Sequence, residues 1–538
     1  MTEAYIGVDV GTGSARAGIF DEAGRLVASA RQPIAIWHEA GGIVEHSSPD
    51  IWRAACAAVR EAVASSGLPI GALRGLSFDA TCSLVVLDPA GASLAVGPSG
   101  DPARDVIVWM DHRAVEEAEF INREPHEVLR YLGGRISPEM QIPKLLWLAR
   151  HMPDSFLRAG HFFDLTDFLT WRATGVAARS VCTVTCKWTY LAHERRWPRD
   201  FFDRIGLSAL AGEGFTRIGA DIVAPATPLG RGLSAETAAS MGLAPGLPVG
   251  AGLIDAHAGA VGTMGAALNG AMADRRRRLG LILGTSSCCM ALADEPRFIA
   301  GVWGPYFSAL TPREWLTEGG QSAFGAAIDH MMRLHPAFSG VAGANAEKAF
   351  ERMQRDIVAR AGSLSAAVRL AQDLHVLPDF LGNRSPLADP NARGVVVGLD
   401  LSDNYDSLLA FYVATLNGLA HGVGQIMRAL ERGGYEFDML VVSGGAARSQ
   451  LVRQTIADVT GRKVGIPETA EPVLLGAAIL AAAAAGRHDM EKAMSTMSRL
   501  AQEVMPAEGE IAALHEKRRQ VSELAQTMEH RTRAIMRG

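Results

Sequence analysis

Apolar residues alternate with small or polar ones from Tyr5 to Val10, stop at Gly11-Thr12-Gly13-Ser14, and resume from Ala15 to Phe20. A second break, Asp21-Glu22-Ala23-Gly24, leads into Leu26 to Ala30. Runs of period two separated by turn-forming residues predict strands joined by tight turns, so the chain opens as an antiparallel meander. Helical spacing follows, with Asp50 as N-cap, Ile51, Trp52, Ala55, Val59 and Val63 on one face, and a stop near Gly67. Leu73 to Phe78 and Ser83 to Leu87 read as further strands.

The same grammar returns in the second half. Leu279 to Leu283 is apolar, Gly284-Thr285-Ser286-Ser287 turns, and Cys289 to Leu292 returns before the break at Asp294-Glu295-Pro296. A strand at Tyr306 to Leu310 and a helix from Ser322 to Leu334 follow. Each half therefore reads strand, polar turn, strand, strand, helix, which predicts a duplicated α/β domain with a ligand cleft between the copies. The small residues of Gly259 to Gly270 mark the boundary and hinge. The expected division is 1–262, 263–490 and a C-terminal helical extension over 491–538, where apolar residues keep helical spacing among many charges.

A length of 538 residues agrees with two large domains. With 48% hydrophobic and 20% charged residues the chain is an ordinary globular one, and a net charge of -6 excludes a broad field for nucleic acid. The basic run Arg275 to Arg278 reads as a solvated loop. No apolar span reaches membrane length, Leu474 to Gly486 reads as a packed helix, and Met1 to Ala4 carries no export pattern. The six cysteines show neither Cys-x-x-Cys spacing nor histidines at zinc-finger distance, so a reduced, cytoplasmic protein without structural zinc is expected. Small ligands are the expected partners, and a homodimer is left open.

The turns carry the candidate chemistry. In Gly7-Val8-Asp9-Val10-Gly11-Thr12-Gly13-Ser14, with Arg16 beyond, glycines let backbone N–H groups approach phosphate oxygens while hydroxyls and a cation add donors. Asp9, at the strand end, is placed to hold Mg2+ through water, with Asp255 as the second carboxylate toward the ion. A P-loop is excluded, because no Gly-x-x-x-x-Gly-Lys-Ser/Thr string occurs; a dinucleotide fingerprint fails at Arg16, where it needs glycine. Gly284, Thr285 and Ser286 supply a second set of phosphate donors, followed on the nucleotide side by Gln321 and Gly325. Met439 to Ser443, the loop Gly444-Gly445-Ala446-Ala447 and a helix from Gln450 to Thr460 offer a flat glycine surface for adenosine or phosphate. In Gly252-Leu253-Ile254-Asp255-Ala256-His257, one carboxylate ends an apolar run among small residues. Asp255 is read as the general base that accepts a hydroxyl proton during in-line attack on the γ-phosphorus of ATP, in a role compatible with capping the helix that follows. His257 is read as structural. For sugar recognition the candidates are Asp79, Thr81 and Cys82, then Asp111, Lys187 and Glu318, polar groups beside apolar surface.

Together these strings resemble the FGGY carbohydrate kinases from Ile6 to about Gly486, and within them the D-ribulokinase type. The resemblance rests on Phe78 to Asp88, Gly160 to Leu165, Cys186 to Tyr190 and Gly301 to Ser308, and on Gly382 to Pro390, which is similar to the family's Gly-x-Arg-x-Pro signature. It implies two ribonuclease H-like domains of the actin and hexokinase ATPase type. It further implies Asp255 as catalytic base, Gly11, Thr12, Gly13, Gly284 and Thr285 on the ATP phosphates, Gly444 and Gly445 on adenosine, and Cys82, Lys187, Asp255 and Glu318 around a ketose. The chain departs from many relatives in carrying Arg448 and Ser449 where asparagine follows the Gly-Gly pair. The implied activity is ATP- and Mg2+-dependent phosphorylation of D-ribulose. The rivals are a kinase of L-ribulose, ribitol, xylulose or glycerol, and a non-catalytic sugar sensor or an actin-like assembling ATPase.

Overall fold

A computed structural model describes residues 3–268, 274–343, 345–371 and 373–537. Ala4–Val10, buried along its whole length, is the middle of a five-stranded sheet ordered Val249–Ile254, Leu73–Ala80, Ala4–Val10, Ser14–Asp21, Leu26–Pro33. Its meander strands pair antiparallel, and Leu73–Ala80 and Val249–Ile254 join parallel to the first strand's side. The second sheet repeats this plan strand for strand: Trp315–Gln321, Ser287–Ala293 and Arg278–Leu283 run antiparallel, and Met439–Ser443 and Lys463–Pro467 follow parallel. Edge strands Trp303–Phe307 and Leu500–Val504 extend it to seven. The duplication expected from the two polar turns is thus a duplication of topology.

Several local expectations shift. The helix Ser48–Ser66 is capped by Ser47, whose hydroxyl accepts from the Asp50 amide, while the Asp50 carboxylate holds the Ala35 amide at 2.9 Å. The strand expected from Ser83 is Leu84–Leu87, and it belongs to a separate five-stranded sheet inserted into the first half. In the second half the partner of Ser287–Ala293 is Trp315–Gln321, because its glycines allow close pairing; Trp303–Phe307, near the expected Tyr306 to Leu310, lies outside it. Leu500–Val504 is a strand within the expected helical extension, pairing with Lys463–Pro467 before the final helix Glu510–Arg537. The basic run is not free: Arg277 pairs with Glu436 and Asp438, Arg275 with Glu314 and Glu491, and Arg278 is buried, donating to the Met264 carbonyl.

Two helices join the halves. Gly259 to Met264 is no loop but part of the buried helix Asp255–Met264, and residues 269 and 270 of the expected hinge lie outside the described residues. The Ala-rich stretch forms Pro472–Ala484, which packs on Asp255–Met264 and on the first sheet. The small residues are there because backbones touch: a Cβ on Gly476 would stand 1.9 Å from the Ala258 carbonyl oxygen, and one on Gly262 would stand 2.0 Å from that of Pro472. Gly476→Ala must force these helices apart, so a loss of about 1–3 kcal/mol is expected. Urea unfolding should show it, with Gly445→Ala, in open space, as the neutral control.

Candidate active site

Strand ends bring three carboxylates together where the first sheet meets the helix Asp255–Met264. Asp9 and Asp79 face each other in the parallel ladder, and Leu253, two residues before Asp255, pairs with Asp79 on its other side. Asp79 is fully buried, and neither of its oxygens has a hydrogen-bond partner among the described residues. Burial first, then the facing Asp9, hold its titration well above the ordinary carboxylate range. Arg16 binds Asp9 from the neighbouring strand, with Nε 2.8 Å from Oδ2, and reaches Glu471 at 2.7 Å. Asp255 opens its helix as the first residue rather than as the N-cap, which is Ile254; one carboxylate oxygen accepts from the Ala256 amide at 2.7 Å. Burial, then the nearby Asp9, raise the Asp255 carboxyl to about 6. One oxygen is thereby fixed and the carboxyl is poised near neutral pH.

The two glycine turns join the antiparallel strand pairs at corresponding places in the two sheets. In the first, the Gly11 amide closes on the Ser14 carbonyl at 3.1 Å, and Thr12 Oγ1 accepts from the Trp109 indole at 3.0 Å. In the second, the Gly284 amide bonds the Ser286 carbonyl at 2.9 Å, and Gly284 and Thr285 are exposed. Gly325 is a brace: its amide donates to the Gly284 carbonyl at 3.1 Å. Gln321 is also a brace, its amide group engaged with Ser287 and the Leu419 carbonyl, which turns it away from the nucleotide role. Gly444 takes a φ of 93°, closed to most side chains, and a Cβ there would lie 2.5 Å from the Leu283 carbonyl oxygen. Gly444, Gly445 and Arg448 line a cleft of about 540 Å³ that also reaches Glu471 and Arg16, so it runs from the glycine turn of one half to the arginine that holds Asp9 in the other. Ala446 begins the short turn of helix beside it.

A second cluster lies beyond Asp255. The helix Val181–Trp188 supplies Lys187, and the strand Trp315–Gln321 supplies Glu318, both almost fully buried. Lys187 Nζ and Glu318 Oε2 are 3.9 Å apart, and that oxygen accepts no hydrogen bond among the described residues. Burial works against each charge, but the pair overrides it: the lysine is shifted well up by Glu318, and the glutamate down by Lys187 and then His257. Lys187 also lies 4.8 Å from the ring centre of Trp303. His257 Nε2 is 3.6 Å from Glu318 Oε2, so a residue read as structural belongs to this wall. Glu139, Arg384 and Trp303 were not expected; Arg384 Nη2 stands 3.9 Å from Glu139 and its guanidinium 5.8 Å from the centre of the Trp303 ring. Arg384 and Trp303 lie in the two strings Gly382 to Pro390 and Gly301 to Ser308, whereas nothing near Glu139 marks it.

The remaining sugar candidates divide. Cys82 is partly exposed and lies in the electrostatic reach of Lys187, burial pushing its thiol up to about 12. Thr81 bonds Ser83 at 3.2 Å and backs the first phosphate turn through its amide on the Val10 carbonyl. Asp111 is fully buried and accepts from Arg113 Nη2 at 2.7 Å and the Val44 amide at 2.6 Å, bracing the Trp109 to Arg113 loop. Asp79 lies with Asp9 rather than with Lys187.

Two sheets of one topology, each with a glycine turn between its antiparallel strands, and a buried carboxylate cluster where the first sheet meets the joining helix have the layout of an actin- and hexokinase-like ATPase fold. Residues 4–262 match the N-terminal domain, and residues 279–485 the C-terminal domain, of the FGGY family of carbohydrate kinases. The chain belongs to that family and is a carbohydrate kinase. It is 45% identical over 514 residues to an FGGY carbohydrate kinase domain-containing protein of Homo sapiens, covering 93% of this chain and 92% of that protein. It is 35% identical over 528 residues to a D-ribulokinase of Saccharomyces cerevisiae, covering 92% of this chain and 73% of that one. The fold is shared with a crystallised xylulose kinase of Rhodospirillum rubrum, at a TM-score of 0.80 and 22% identity over 98% and 99% of the two chains. No helix among the described residues is long and apolar enough to cross a membrane.

Proposed function

We propose that this kinase transfers the γ-phosphoryl group of ATP to a ketopentose, D-ribulose above others, with Asp255 as general base. The observation that carries the reading is the buried Lys187–Glu318 pair. At 3.9 Å it is too long for a direct hydrogen bond, yet a hydroxyl between the two could donate to Glu318 Oε2 and accept from Lys187. Trp303 offers an apolar face beside them. Asp255, with one oxygen held by its own helix, then takes the proton of the attacking hydroxyl through the other, while the turns at Gly11 to Gly13 and Gly284 to Thr285 hold the triphosphate from opposite sides. The 35% identity to a protein named D-ribulokinase favours that ketose.

Mg2+ fits the carboxylate cluster, because the donors are hard oxygens and both oxygens of Asp79 lack a hydrogen-bond partner among the described residues. Asp9, partly through water, and Asp255 would hold it; the ion would offset charge on the transferring phosphoryl group. All six cysteines are unpaired, in keeping with the reducing cytoplasm.

The test is ADP release measured with D-ribulose, L-ribulose, xylulose, ribitol and glycerol. The highest kcat/KM is expected for D-ribulose, by about tenfold or more, the size of discrimination that a pocket contact provides. A preference for glycerol or a pentitol would refute the ketose reading.

A further inference from the structure

Behind the sugar pocket, two thiols that phosphoryl transfer does not use stand beside His257 of its wall. Cys182 and Cys186 stand one turn apart on the helix Val181–Trp188, and His257 is the third residue of Asp255–Met264. All three have 0% exposure. Their two sulfurs and one imidazole nitrogen lie within 4.8 Å of one another, and Cys186 Sγ is 3.9 Å from His257 Nε2. His257 Nδ1 is buried with no hydrogen-bond partner among the described residues. The pair has no Cys-x-x-Cys signature because i and i+4 is the spacing of one helix face, and the histidine arrives from a distant segment.

We propose that Cys182, Cys186 and His257 form a binding site for a soft monovalent cation, Cu(I). Metal–sulfur and metal–nitrogen bonds of about 2.3 and 2.0 Å place donors roughly 3.5–4 Å apart, so sub-ångström to ångström shifts close the observed triangle. Two thiolates and an imidazole select a thiophilic ion over Mg2+. Three donors with no exposed surface favour Cu(I) over Zn2+, which takes a fourth ligand or water. Coordination by two thiolates and a neutral imidazole replaces the two thiol protons by the metal, releasing two protons; no electron moves.

The site is coupled to the sugar wall. His257 Nε2, the nitrogen nearest Cys186, also faces Glu318 Oε2, and Lys187 follows Cys186 directly. A metal that takes this nitrogen draws His257 from Glu318. Resting on the reading of Lys187 and Glu318 as sugar ligands, the sugar KM should rise in the loaded enzyme while the ATP KM holds.

The experiment is anaerobic competition of the full-length reduced protein with bicinchoninate for Cu(I), which reads the metal without regard to the sugar. One tight equivalent is expected. Affinity should fall about 100-fold or more in Cys182→Ser and Cys186→Ser, at or beyond the upper end of what is lost with a group that only hydrogen-bonds to a ligand. It should persist in Cys288→Ser and Cys289→Ser. Should the serine variants not fold, the thermal midpoint of the wild type still reports, rising with Cu(I) as a ligand of the native state demands. No competition by the wild type and no thermal shift, equal loss in Cys288→Ser, or tighter retention of Zn2+ than of Cu(I) would each overturn the assignment. Full occupancy with an unchanged sugar KM would overturn the coupling alone, leaving the ketose reading to the substrate panel.

Discussion

Asp255→Asn should lower kcat by about 10³-fold or more, the combined scale of general-base loss and a mispositioned nucleophile, while sugar affinity by calorimetry changes only a few-fold. The asymmetry follows from position. Asp255 follows an apolar strand and opens a buried helix with its carboxylate pinned by the Ala256 amide, within electrostatic reach of Asp9 on one side and Lys187 on the other. Asparagine keeps the shape and that hydrogen bond but cannot accept a proton from the sugar. A base must be ionised to act, so wild-type kcat/KM should fall as pH drops through about 6, where burial and Asp9 have moved the carboxyl. The residual activity of the variant should lose that limb. Equal rates in the two proteins would remove Asp255 from the chemistry.

Lys187→Met should cut kcat/KM for the sugar by about 100-fold or more, because truncating one partner of a buried charge pair costs several kcal/mol and strands the other. Glu318 would keep His257, Cys288 and the charge of Arg384. The loss should fall on the sugar KM and leave the ATP KM within a few-fold, since Lys187 pairs with Glu318 and does not line the cleft at Gly444. A uniform rise in both KM values would mean that the lysine supports the fold rather than the ketose, and the unfolding midpoint would then fall in step.

How much of this was legible in the sequence depends on whether the signal was local. The two meanders were, since alternation and glycine turns are properties of adjacent residues; so were Asp255 and the Gly444–Gly445 turn. The third strand of the second half was masked because Glu318-Gly319-Gly320 looks like a binding loop, although those glycines sit in a paired strand. The small residues of Gly259 to Met264 looked like a hinge because composition does not tell a flexible loop from a helix that another helix must touch. Asp111 and Gln321 are polar residues in the right strings, but their hydrogen-bonding capacity is used by Arg113 and by Ser287 and Leu419. Glu139 and the Cys182, Cys186 and His257 cluster escaped notice for the opposite reason: their neighbours in space are far away in the chain.

The most direct test is a crystal structure of the enzyme with D-ribulose and a non-hydrolysable ATP analogue. The account predicts the free Asp255 oxygen at about 2.6–3.2 Å from one sugar hydroxyl, that hydroxyl in line with the γ-phosphorus, and another hydroxyl between Lys187 and Glu318. A ketose bound elsewhere, or an Asp255 carboxylate turned away from every sugar oxygen, would contradict it.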